Sequence, residues 1–214
     1  MKDVSAVFRS VHGEHCTVFG SAPNRRVPQG YSDTVMICVN GSSIGLSRDA
    51  DITVMYGGIV SGAIETCRQT LGHLRGRNTD KLLLIQAGKF RDAEEKLREL
   101  GYGWREIETL PAQRRAEIIE QTTGRKLEGI SGKHVPSNGL LAVLLAVAAG
   151  AKRIDMCGFS LAGGHYYITG DTVRGHLDQD PWVFEWLADN APVFSTDQPL
   201  CDRFGIPKLA VAPE

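Results

Sequence analysis

The chain predicts an α/β domain built on one mostly parallel sheet, with helices on both faces. Three observations carry this. Apolar runs of strand length alternate along the chain with segments of helical spacing, the pattern that yields a parallel sheet. The run at 34–39 is continuous in apolar residues, as a strand covered on both faces is. Successive strands end in small or polar turns, Gly20-Ser21-Ala22-Pro23-Asn24, Asn40-Gly41-Ser42-Ser43 and Tyr56-Gly57-Gly58. In open α/β sheets, the carboxyl ends of the strands are where ligands bind.

Composition bounds the rest. With 214 residues, 42% of them hydrophobic, the chain can bury a full core, and a single domain over 1–214 is the natural count. A formal net charge of −1 gives no global attraction to nucleic acid or to an anionic membrane. The pairs Arg25-Arg26 and Arg114-Arg115 read as solvated surface. The five cysteines are scattered and form no CxxC pair, which supports neither a zinc site nor a redox motif. Cys16, Cys38 and Cys157 lie in or beside strands and read as buried free thiols in a reducing cytoplasm. The N-terminus lacks the apolar core of a signal peptide, and the most apolar run, 139–149, is too short for a membrane span. A soluble cytoplasmic protein is expected.

Taken in order, a short strand at 16–19 feeds the first small-residue turn, the usual opening of a nucleotide-binding α/β domain, although GxGxxG is absent. Strands follow at 34–39 and 51–55. Helical spacing covers 61–74, with Ile64, Cys67 and Leu71 on one face. A strand at 81–85 precedes a charged helix at 92–100 stopped by Gly101. Pro111 sits near the start of a helix at 111–121. The stretch 101–133 is polar and weakly patterned and reads as an insertion or lid.

The stretch 134–176 organises the chain. A Pro-Ser-Asn-Gly turn opens the apolar helix at 140–149, which Gly150 stops, and a buried strand at 153–157 follows. Free N–H groups and the positive dipole end at Ser137, Asn138 and Gly139 suit an anion such as phosphate. The strand then carries Tyr166, Tyr167, Arg174 and His176 to the same sheet edge. A helix at 180–188, a strand at 193–195 and a short turn at 199–204 complete a Rossmann-like order, with a loose tail.

Bland readings stand beside the functional ones. Gly158-Phe159-Ser160-Leu161-Ala162 suggests a nucleophile elbow, but the closing glycine is displaced to Gly163 and turn residues follow where a helix must begin. A loop histidine is often only a surface residue; Arg174 and the paired tyrosines nearby raise His176, while His165 and His134 are weaker candidates. A neutral imidazole can take a proton from a sugar hydroxyl near neutral pH. Asp178 and Asp180 have DxD spacing but lie at a helix start, where Asp serves as a cap, so no metal site is expected.

The arrangement resembles the bacterial sialyltransferases of glycosyltransferase family forty-two. Phe19 to Asn24 is similar to that family's nucleotide loop, and Cys38-Val39-Asn40 to its Cys-Asn element. Ser137-Asn138-Gly139 with the helix and strand after it resembles its Thr-Ser-Gly motif, and Gly175-His176 with the helix that follows resembles its Gly-His element. The resemblance implies an inverting, metal-independent transferase that moves a CMP-activated acid sugar, sialic acid or a relative, to a glycan acceptor, as in glycan or lipopolysaccharide biosynthesis. It implies His176 as general base, with Tyr166 and Arg174 at the departing phosphate. Gly20, Ser21, Asn24, Asn40, Ser42, Ser137, Asn138, Gly139, Gly158 and Tyr167 would then line the nucleotide site. The family's habit of oligomerising is compatible with a homo-oligomer. Three positions depart from the pattern: family asparagines fall at Ser21 and Gly57, and a family tyrosine falls near Ala162. Two other readings stay open: a phosphotransferase or pyrophosphokinase on the same scaffold, and a nucleotide-binding protein without catalysis.

Overall fold

The structure is a computed structural model that describes residues 6–23, 25–86, 92–161, 163–169, 176 and 178–211. Among these residues seven strands form one sheet: β1 (His15–Phe19), β2 (Val35–Val39), β3 (Ala50–Tyr56), β4 (Asn78–Ile85), β5 (Gly103–Leu110), β6 (Arg153–Cys157) and β7 (Val193–Ser195). Their order is β5-β4-β3-β2-β1-β6-β7, and every neighbouring pair is parallel. The six α-helices among the described residues are α1 (Glu65–Leu74), α2 (Ala93–Glu99), α3 (Ala112–Thr123), α4 (Asn138–Ala148), α5 (Asp180–Asn190) and α6 (Gln198–Phe204). The fold class expected from sequence is the one observed.

Strand alternation sorts the core onto two faces. Val18, Ile37, Val54, Leu83 and Ile85 pack on one face with α3, α4 and α5, while Met55, Leu82 and Leu84 meet α1 and α2 on the other. Helix α4 is the keystone of the first face. Residues 140–146 are all fully buried, because the helix lies between the sheet and α3 and so has no polar side. Phe19, Met36, Cys38 and Cys157 are covered by Val27, Tyr31 and Leu46 from loops.

Three expectations need correction. Residues 103–110 are not part of an insertion but strand β5, paired with β4 along its length. Its Arg105, Glu106 and Glu108 are the charges that an edge strand tolerates, and they hid the strand in the sequence. Helix α3 then packs on α4, so the part of 101–133 outside these elements is 124–133, and there Leu127 still packs on the core. Helix α1 starts at Glu65, which leaves Ile64 60% exposed rather than on the packed face. The C-terminal segment is pinned: Ile206 and Leu209 are buried, Leu209 N–H donates to Ser195 O at 2.8 Å, and Val211 bridges to Pro28. The segment Ala6–Val11, unassigned in the sequence reading, is a 3-10 turn that buries Val7, Phe8 and Val11. No helix among the described residues is long and apolar enough to cross a membrane.

Candidate functional site

Strand order reverses between β1 and β6, because β2 to β5 extend to one side of β1 while β6 and β7 lie on the other. The exit loops of β1 and β6 remain joined past the strands. Gly20 N–H donates to Cys157 O and Ala22 N–H to Gly158 O, both at 2.8 Å. The approach demands two glycines. A Cβ on Gly20 would collide with the Gly158 carbonyl, and one on Gly158, whose φ is +72°, would lie 2.9 Å from Gly20 O. Both residues therefore build the crevice with their backbones.

Around it the turn after β2 is held from several sides. Asn40 takes the left-handed conformation (φ 54°), and its Oδ1 accepts from Tyr56 N–H at 3.0 Å, fastening β2 to the end of β3. Ser42, expected to meet a nucleotide, is instead structural: buried, its hydroxyl donates to Phe19 O (2.6 Å) and accepts from Val39 N–H (2.7 Å). Arg25 is no solvated surface charge. It donates to Ser42 O (2.7 Å), Ile44 O (2.9 Å) and the Tyr166 hydroxyl (2.6 Å), and stacks on the Tyr166 ring at 4.1 Å.

Tyr166 and Tyr167 pack into this turn. The Tyr166 hydroxyl donates to Ser42 O (2.8 Å), and burial pushes its pKa above the ordinary phenol value. The Tyr167 ring lies against Gly41, where a Cβ would come within 2.9 Å of it, and burial raises its hydroxyl to about 12. Between the two loops, His165 Nδ1 meets Ser21 Oγ at 2.5 Å, and Tyr166 N–H donates to Ser21 O at 3.1 Å.

The start of α4 closes the other side. Ser137 caps the helix, its Oγ accepting from Leu140 N–H at 3.5 Å. Gly139 lets the Phe159 ring sit against the first turn, with a hypothetical Cβ 3.0 Å away. Three consecutive residues before the helix are each gripped by a chargeable side chain. His176 Nδ1 bonds Val135 O at 2.8 Å, the Arg115 guanidinium donates to Pro136 O, and Asp180 Oδ1 accepts from Ser137 N–H at 2.7 Å. The N–H groups of Asn138 and Gly139 remain, for which the helix itself has no acceptor.

Two consequences follow. A carbonyl only accepts, so Nδ1 of His176 carries the proton and the neutral ring presents its lone pair on Nε2, the form a general base needs. Burial lowers the Arg115 pKa to about 10 while Asp180 opposes that shift, so the guanidinium stays cationic at neutral pH and offsets the buried carboxylate. Asp180 is structural, as its helix-start position implied. Among the described residues no group of three or more His, Cys, Asp or Glu is arranged to hold a metal ion.

Ser21, Asn40, Ser137, Asn138, Gly139, Tyr166, Tyr167 and His176 thus lie in the segments that line this edge, with Gly20 and Gly158 as its floor. Asn24, Arg174 and Gly175 lie outside the described residues. Sequence reasoning missed Arg115. The signal was present, because stepping back three and four residues from Ile118 and Ile119 puts position 115 on the buried face of α3.

An open parallel sheet with small-residue turns and a helix start at its order reversal is the architecture of α/β proteins that bind ligands at the switch point. Solved structures with this fold include the sialyltransferase CstII of Campylobacter jejuni in complex with cytidine-5'-monophosphate, 10% identical, matched over 93% of this chain and 86% of that one with a TM-score of 0.55. The same enzyme with the substrate analogue CMP-3FNeuAc matches over 92% of this chain and 87% of that one, at 10% identity and a TM-score of 0.53. The monofunctional alpha-2,3-sialyltransferase Cst-I of Campylobacter jejuni is 12% identical, matched over 90% of this chain and 80% of that one with a TM-score of 0.53. No family model and no curated protein matches the chain in sequence.

Proposed function

We propose that this protein is an inverting glycosyltransferase that moves an acid sugar from a CMP-activated donor to a glycan acceptor without a metal ion. The observation that carries it is His176, fixed by Val135 O in its base-competent tautomer beside the helix start of a fold whose solved examples include sialyltransferases in complex with CMP or a CMP-sugar analogue. His176 Nε2 takes the proton of the acceptor hydroxyl as that oxygen attacks the anomeric carbon. The bond to the phosphate breaks on the opposite face, and its electron pair leaves with CMP. The N–H groups of Asn138 and Gly139, at the positive end of α4, receive the developing charge. Ser21, Asn24 and Asn40 hold the cytidine and ribose, and Arg174 assists at the phosphate. Tyr166, whose hydroxyl is already bonded to Ser42 O, acts as a positioning residue for the turn.

Donor hydrolysis and transfer from CMP-sialic acid test this reading. Replacing His176 with Ala or Gln lowers kcat by about 10²–10⁴-fold, the usual worth of a positioned general base, with CMP affinity retained. Turnover by His176→Ala at the wild-type rate would overturn the assignment of the base.

A further inference from the structure

We propose that Ser21 and His165 form a hydrogen-bonded acid relay that protonates the departing phosphate, so that two histidines divide the acid and base work. The inference rests on the transferase reading above, moves Ser21 from the ribose to the phosphate, and adds His165 to the catalytic residues.

Three observations point there. Ser21 lies at the carboxyl end of β1, at the order reversal, and its Oγ is 2.5 Å from His165 Nδ1. The loop that carries His165 is clipped in place, by Tyr166 N–H on Ser21 O at 3.1 Å and by Thr169 N–H on the Gln69 side chain at 2.9 Å. Of the neighbouring tyrosine hydroxyls, Tyr166 is engaged elsewhere, donating to Ser42 O at 2.8 Å, while the buried Tyr167 hydroxyl is approached by Gly41 N–H at 3.4 Å and lies beside Ser21. Ser21 and His165 are each partly exposed, unlike Tyr167. Among the described residues at the switch point, the partly exposed hydroxyl placed to deliver a proton is that of the serine, backed by the imidazole.

The step balances. When the bond from the anomeric carbon to the phosphate oxygen breaks, its electron pair stays on that oxygen. Ser21 Oγ–H passes its proton to the oxygen, and protonated His165 Nδ1–H replaces it. One proton leaves His165 as one arrives on His176 from the acceptor, and solvent exchange restores both rings. A serine hydroxyl has one donor and two acceptor lone pairs, enough to accept from Nδ1 while donating to phosphate. Among the described residues, the titratable groups near His165 include the Tyr167 ring at 5.7 Å, Tyr166 beyond it on the same loop, His73 of α1 against Tyr167, and Arg25 over Tyr166.

The test is the pH profile of CMP-sialic acid turnover, with CMP binding measured alongside. Wild type gives a bell-shaped profile, with an acid limb set by the base and an alkaline limb set by the acid relay. His165→Asn keeps a hydrogen-bonding group facing Ser21 but cannot titrate. It loses the alkaline descent and about 10²-fold or more in kcat, while CMP still binds. Ser21→Ala loses rate to a similar degree, and Ser21→Thr, which restores the hydroxyl, recovers it. A His165→Asn enzyme that keeps both limbs and the wild-type rate would make the contact a loop clip only, and the relay is then wrong. A wild type that binds no CMP overturns the transferase reading, and the relay with it.

Discussion

Arg115 and the buried thiols show what single residues do here once they leave water. Burial pushes the Cys16, Cys38 and Cys157 thiols up to about 12 from an ordinary 9.0. A group whose folded pKa lies above its unfolded one stabilises the fold fully below the unfolded value and loses that contribution as pH rises through the folded value. The urea midpoint therefore falls as pH is raised above 9 toward 12, and a flat midpoint there would contradict this account. At neutral pH an alkylating reagent modifies the half-buried Cys67 first, and reaches these three only on unfolding. Arg115 compensates Asp180 in a buried setting, so Arg115→Met removes a cation that offsets the buried carboxylate and costs roughly 3 kcal/mol. Adding Asp180→Asn recovers part of that cost, which a double-mutant cycle by chemical denaturation reads directly.

At the scale of elements, α4 and the two glycine turns carry the site. Helix α4 is buried on every side, and Leu144→Ala costs about 2–5 kcal/mol because neighbours on the sheet and α3 cannot close the void. Gly20→Ala acts differently. Its methyl would enter the Gly158 carbonyl, forcing the exit loops of β1 and β6 apart at a cost of about 1–3 kcal/mol, and it weakens CMP binding more than Leu144→Ala does. Thermal melts and calorimetry on both variants separate packing loss from loss of the crevice. Equal CMP affinity in the two would contradict a site built on the glycine crossing. These elements were legible in the sequence because their signals are strong: a continuous apolar run with a Ser cap for α4, and strand-to-glycine junctions for the turns. Strand β5 was not, since an edge strand shows water one side and carries charges that break the apolar run.

At the scale of the molecule, alternating strands and helices were enough to predict the parallel sheet, and the small turns at strand ends pointed to the carboxyl edge as the candidate site. Which side chains face that edge was harder to read. Ser42 and Tyr166 have the chemistry of ligand contacts, yet their hydroxyls bind backbone carbonyls of neighbouring segments, a pairing that only the tertiary structure creates. His165 looked weaker than His176 because its partner, Ser21, lies 144 residues away in sequence. The central claim is that this edge is a cytidine-nucleotide site that needs no metal. Isothermal titration of CMP into wild type and His176→Ala, with EDTA present, tests it most directly. The account predicts that both proteins bind CMP with similar affinity, the histidine serving the chemical step alone. An absence of binding to wild type, or binding that appears only when magnesium is supplied, would contradict it.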